Sequence, residues 1–313
     1  MLFRPFLKGI VWGLLLAVIG LGVAFYRPDL PVDVLRDRYA YPESTFVTVQ
    51  DMPVHYRVTG QGPALLLLHG TGASLHTWAG WHEQLQDSFR VISLDLPAFG
   101  LTGPHPEGDY SISAYVAFLE AFAKKITLDS FHLAGNSLGG LIAWSYAATH
   151  PERITKLILV DASGFPRNKP TPLAIRLARY PVVSNILRYV TPKPLFRQAL
   201  TEVYGDPEAV APETVDRYYQ LFRRTGNRQA YIERARETHK VPTGPLRELN
   251  EPTLILWGEQ DRWIPPEHAD QFDAFLPDSR VILYPGLGHV PMEEAPEHTA
   301  LDVRRFLQEI GSE

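Results

Sequence analysis

The chain has 313 residues, 45% hydrophobic and 21% charged, which excludes a disordered or fibrous protein and leaves room for a large core. A formal net charge of −5 gives no electrostatic reason to bind nucleic acid, and no Walker A or dinucleotide-binding glycine pattern occurs. There is no cysteine, so thiol nucleophiles, disulfides and thiolate metal sites are excluded together, and no cofactor is called for.

The first segment differs in kind from the rest. Gly9 to Tyr26 is an uncharged run of 18 apolar or small residues preceded by Arg4 and Lys8, at the lower end of what spans a bilayer as a helix. The basic flank is amino-terminal, which predicts residues 1–27 as a membrane anchor with the rest of the chain on the non-cytoplasmic side. A cleaved signal, ending near the loose small-x-small site Gly22-Val23-Ala24, and a secreted body are the alternative. Residues 28–43, with Pro28, Pro31 and Pro42 among charges, read as a stiff spacer.

From residue 44 the pattern becomes globular. Phe46–Val49 and Val54–Val58 alternate like a leading antiparallel hairpin. Ala64–Leu68, Val91–Leu94, Phe131–Ala134, Leu157–Val160, Thr253–Trp257 and Val281–Tyr284 are short unalternating apolar runs, as parallel strands buried on both faces require. Helical patterns separate them at Trp78–Gln86, Ile112–Lys125, Leu138–Thr149, Pro266–Phe275 and Pro296–Ile310. The alternation predicts an α/β protein with a doubly wound, mostly parallel sheet.

Between the sixth and seventh core strands the rhythm breaks. Residues 165–240 carry short helical patterns punctuated by proline and glycine, a helical insertion that divides the core into 44–164 and 241–313. This insertion holds fourteen Arg or Lys against seven Asp or Glu. Solvated helix faces explain that bias, and so does a face turned toward anionic headgroups. Leu173, Ile175, Leu177, Tyr180, Val182, Val183, Ile186, Leu187 and Tyr189 are candidates either for an acyl pocket or for the insertion's own core.

Gly135-Asn136-Ser137-Leu138-Gly139 fits the G-x-S-x-G nucleophile elbow between a strand and a helix, with flanking glycines that let the backbone fold sharply. A serine hydroxyl needs a histidine to take its proton and an acid to orient that histidine. Asp261 follows the Thr253–Trp257 strand and His289 follows Val281–Tyr284, so the chain order is Ser137, Asp261, His289. Asp161 also follows a strand and reads as a structural hydrogen-bonder. His69 reads as a buried loop-fixing residue, and Trp263 and Ile264 either wall the pocket or simply pack. His76, His82, His105, His268 and His298 lack metal-ligand spacing, so no metal is expected.

These motifs, with Leu68-His69-Gly70-Thr71-Gly72, Asp95-Leu96-Pro97-Ala98-Phe99-Gly100, Val160–Gly164 and Gly288–Glu294, resemble the α/β-hydrolase superfamily over roughly residues 44 to 311. The resemblance implies backbone donors to an oxyanion at Thr71 and Leu138, and a cap over the serine formed by 165–240. Ala98 departs from the family's usual second glycine. The implied activity is that of a serine carboxylic-ester hydrolase, similar to membrane-anchored monoacylglycerol-lipase-like and small bacterial lipase members, with a lipophilic ester as substrate. Carbon–carbon hydrolysis of ring-cleavage products is the second reading, because the Gly-Asn-Ser-x-Gly-Gly elbow recurs there; their histidine is typically followed by tryptophan, whereas Val290 stands here. A ligand-sensing module that keeps the same residues is the third.

Overall fold

A computed structural model describes residues 12, 20, 22, 25–166, 173–237 and 242–309. Most of the apolar run Gly9 to Tyr26 therefore lies outside the described residues. Among those described, no helix is long and apolar enough to cross a membrane.

Eight strands form one sheet in the order β1-β2-β4-β3-β5-β6-β7-β8: β1 Ser44–Val49, β2 Met52–Thr59, β3 Ala64–Leu68, β4 Arg90–Leu94, β5 Phe131–Asn136, β6 Ile154–Val160, β7 Thr253–Gly258 and β8 Ser279–Tyr284. β1 pairs antiparallel with β2, and β2 with β4; every other pairing is parallel. The leading hairpin closes at Gln50 and Asp51, both with positive φ (46° and 60°), as the primed turns of two-residue hairpins require. The four leucines of β3 and all six residues of β7 are buried, which explains their lack of alternation.

Helices cover both faces. α1 spans Val32–Tyr39, α2 Ala79–Leu85, α3 Ile112–Lys125 and α4 Leu138–Thr149. The Ser111 hydroxyl caps α3 by accepting from the Ala114 N–H. α4 is apolar all round, and its first ten residues are buried in the centre of the molecule. The cap consists of α5 Leu173–Arg179, α6 Pro181–Leu187, α7 Lys193–Thr201, α8 Pro212–Phe222 and α9 Asn227–Arg236. α10 Glu267–Phe275, α11 Pro291–Glu294 and α12 Pro296–Gln308 complete the core.

The segment 28–43, expected as a spacer, is docked. Leu35 of α1 is fully buried against Leu101 and Leu221. Asp29 pairs with Arg228, which is only 3% exposed and also donates to the Arg27 carbonyl. The basic bias of the cap has a related explanation in part: Arg228 turns inward to Asp29, Arg217 to Glu293 and Arg224 to the Thr102 carbonyl. Charge counting cannot separate such ties from solvated faces.

Several buried or half-buried histidines have no counter-charge close enough to offset desolvation. Burial pushes His76 down to about 4, and burial followed by Arg57 pushes His82 down to about 3. Burial and then Lys156 bring His132 to about 4. Burial alone would raise the Asp95 carboxyl, but His55 at 2.7 Å holds it near 2. The unfolded chain takes up protons on these histidines below their ordinary value of about 6.5, whereas the folded chain resists; their contribution to stability is complete above that pH and is lost between it and about pH 4 to 3. Asp95 adds to the loss only as pH falls from its ordinary value through about 2. Urea unfolding followed by circular dichroism should show a midpoint that declines steadily from about pH 6.5 to 4; a midpoint constant over that range would contradict neutral buried histidines.

Candidate active site

In the sheet order, β3 is followed in the chain by β4 on one side and β5 on the other, so the chain reverses direction between β3 and β5. The crevice outside the carboxyl ends of strands at such a switch point is where open α/β sheets bind ligands. Leu68 of β3 is paired with Gly135 of β5, and this register brings the Gly70-Thr71 loop over the elbow. A Cβ on Gly135 would lie 2.2 Å from the Gly139 carbonyl oxygen, and one on Gly139 would lie 2.2 Å from that of Leu68. Only glycine fits at either position. Ser137 itself takes φ 54° and ψ −113°, a strained backbone for a residue with a side chain.

His289 follows β8 and is 4% exposed. Its Nδ1 lies 2.6 Å from Asp261 Oδ2, so Nδ1 carries the hydrogen and Nε2 remains the basic nitrogen. Asp261 Oδ1 accepts from the N–H groups of Trp263 (2.6 Å) and Ile264 (2.9 Å). The Trp263 ring also stacks on His289, with centroids 5.9 Å apart. Leu138 is the first residue of α4, where the amide has no intrahelical acceptor.

Ser137, His289 and Thr71 open into one cavity of about 270 Å³ whose other walls come mainly from the cap. Of the apolar cap candidates, Leu173, Leu177 and Leu187 line it. Tyr180, Val182, Ile186 and Tyr189 do not line it, and Ile175 packs in a small cap cluster with Ala178 and Ile232. Leu195, Phe196, Leu200, Phe222 and Tyr231 also line it and were not singled out by sequence, although the apolar stripe of Lys193–Thr201 was a signal for three of them. Arg228, beside them, is a polar lining residue that sequence also missed.

Asn136 has a role that the motif alone did not reveal. Its Nδ2 donates to the carbonyls of Val160 (3.2 Å) and His289 (2.9 Å), tying the histidine loop to the elbow. The cap is tied to the same loop: the His289 N–H donates to the Val203 carbonyl at 2.7 Å, and Glu294 accepts from the Gly205 and Gly288 amides. Glu293 accepts from Thr77, Arg217 and Tyr218. His69 is fully buried, with Nδ1 donating to the Gly70 carbonyl and Nε2 accepting from the Leu96 N–H; it fixes the loop that bears Thr71. Ala98 takes φ 86°, a backbone glycine adopts without strain, and its N–H donates to the Gly103 carbonyl.

Asp161, Asp261 and His289 each offer one atom within 4.8 Å of the others, the separation a cation would need. Both Asp261 oxygens and His289 Nδ1 are already engaged in hydrogen bonds, so the group reads as a hydrogen-bonded cluster. Elsewhere, Ser44, His55 and Asp95 form a second serine–histidine–aspartate chain, with 2.8 and 2.7 Å contacts. It pins β1 to β2 and to the loop after β4.

The alpha/beta hydrolase fold family matches residues 63–296, and the chain belongs to that family. It is similar to Lipase 3 of Moraxella sp. (strain TA144), 29% identical over 292 residues that cover 90% of this chain and 85% of that one. It is also similar to the 2-hydroxy-6-oxo-6-phenylhexa-2,4-dienoate hydrolase of Burkholderia cepacia, 26% identical over 79% of this chain and 90% of the other. Among solved structures it resembles a membrane phospholipase A described as a bacterial virulence factor, with TM-score 0.73 and 29% identity over 97% of this chain and 98% of that one. The family and these relatives assign hydrolase chemistry to the chain.

Because the Asn136 side chain ties the elbow to the histidine loop, Asn136→Ala should lower kcat on a p-nitrophenyl ester about 10-fold with little change in KM, the cost of one buried hydrogen-bond donor. A variant with unchanged kcat would remove Asn136 from the positioning of His289.

Proposed function

We propose that the protein is a serine carboxylic-ester hydrolase that acts on lipophilic esters through an acyl-enzyme. Ser137 attacks the ester carbonyl while His289 Nε2 takes its proton, and Asp261 holds the imidazole through Nδ1. The amides of Thr71 and Leu138 stabilise the oxyanion, and donors of this kind are each worth about 3 to 4 kcal/mol of barrier. His289 then protonates the departing alcohol and activates the water that releases the acid. The observation that carries the reading is the single cavity that joins Ser137 and His289 to an apolar cap wall. Similarity to a lipase and to a phospholipase A adds support.

Ser137→Ala should abolish fluorophosphonate labelling and nearly all ester turnover with the fold intact. Asp261→Asn should lower kcat by about ten-thousand-fold, since the imidazole loses its orientation. On an ester series, kcat/KM should rise with acyl length, by at most about 0.8 kcal/mol per methylene, until the cavity is filled. Labelling retained in the alanine variant sinks the nucleophile. Turnover of a vinylogous diketone without ester turnover favours the carbon–carbon reading, and labelling with no turnover on any ester favours a ligand-sensing module.

Membrane tethering through Gly9 to Tyr26, with the catalytic body on the non-cytoplasmic side, belongs to the same proposal. Its support is the apolar run itself and the way the chain joins the cap, where Tyr26 bridges Val190 and the Arg27 N–H donates to the Tyr189 carbonyl. Full-length protein should sediment with membranes and be cleaved by protease added on the non-cytoplasmic side. A freely soluble form whose amino terminus lies near Phe25 would establish the cleaved-signal alternative instead.

A further inference from the structure

Asp161 is a fully buried carboxyl beside the site that the proposed mechanism leaves unused. It directly follows β6, is fully buried, and takes a positive φ of 44°, uncommon outside glycine although aspartate tolerates it better than most. Its Oδ1 accepts from the Gly258 N–H at 3.0 Å, but the buried Oδ2 accepts no hydrogen bond. An ionised carboxylate left in that state would carry an uncompensated lone pair in a dry site. The neighbouring Asp261, by contrast, has three donors: the Trp263 and Ile264 amides and the His289 ring. A carboxylate can accept about four hydrogen bonds, so one acceptor position on Asp261 is still open.

We infer that Asp161 is a neutral carboxylic acid whose Oδ2–H donates the fourth hydrogen bond to Asp261, making it a positioning residue for the Asp261–His289 pair. The charged and titratable groups facing it are Asp261 on the loop after β7, His289 on the loop after β8, Glu294 of α11 and Tyr284 at the end of β8. Burial, followed by the Asp261 charge, pushes the Asp161 carboxyl well above the usual carboxylate range, and Glu294 acts in the same direction. Two carboxylates this close in a buried site share a proton rather than both ionising. The donor-rich partner keeps the charge. With its fourth donor in place, Asp261 divides its charge between the Asp161 hydroxyl and the His289 Nδ1–H instead of directing it at the imidazole alone.

The inference rests on the triad reading and is tested in the full-length protein with two variants. Asp161→Asn keeps a donor and no charge: kcat/KM on a p-nitrophenyl ester should stay within about 3-fold of wild type, with the acid limb of its pH profile in place. Asp161→Leu removes the donor; activity should fall about 10-fold or more, and the acid limb should move to higher pH. The infrared difference spectrum between wild type and Asp161→Asn should contain the carbonyl stretch of a protonated carboxylic acid. An acid limb displaced downward in Asp161→Asn, or a carboxylate band in its place in the difference spectrum, would mean that Asp161 is ionised and overturns the inference. So would an Asp161→Leu enzyme with the wild-type profile. If Asp161→Leu does not fold, the infrared measurement on Asp161→Asn still decides. Failure of Ser137 to react with fluorophosphonate would overturn the triad reading alone, because the infrared band reports on Asp161 whatever the nucleophile.

Discussion

The turn at Ser137 is the constraint on which the site depends. A strand that runs straight into a helix must change direction within two or three residues, and here the change is absorbed by a serine at φ 54°. The neighbouring backbones leave no room for a side chain at Gly135 or Gly139. Such a turn costs free energy of about 1–3 kcal/mol and persists because the elements on either side are over-determined: β5 lies between two parallel neighbours, and the first ten residues of α4 are buried. In return, one hydroxyl is held at the sheet's carboxyl edge with the first amides of a helix behind it.

Everything else at the site is hung from that edge by polar contacts whose partners lie far apart in the chain. Asn136 reaches across to the His289 carbonyl, His69 holds the Thr71 loop against the loop after β4, and Asp261 gathers two amides and an imidazole. Glu293 and Glu294, directly after the histidine segment, fasten the cap to the same place. Cap and histidine loop therefore share hydrogen bonds. A change in how the cap sits is felt at His289 through the Val203 carbonyl, which links the apolar wall of the cavity to the position of the proposed base.

The amino-terminal portion enters the same network. Residues 26–30 bond to the cap at Tyr189, Arg223, Thr225 and Arg228, and Arg228 is itself a wall of the cavity. What composition presents as a spacer is thus part of the cap's support, because buried guanidinium groups need acceptors and the nearest ones are Asp29 and the Arg27 carbonyl.

The sequence by itself determined the sheet and the order of its helices, because strands buried on both faces must be continuous apolar runs and the helices between them must carry a 3.6-residue stripe. It also determined where Ser137, Asp261 and His289 stand, since each occupies a turn that follows such a run. The register that sets Gly135 beside Leu68, the inward pairing of cap arginines and the choice of Leu195 and Phe196 over Val182 and Ile186 for the cavity wall were decided only by the tertiary structure. So was the company of Asp161 and Asp261, which are a hundred residues apart. Local pattern records which face of an element is apolar. It does not record which of several apolar faces meets the core, nor which distant carboxyl will share its burial, because those depend on how short helices cross and how loops close after the sheet has formed.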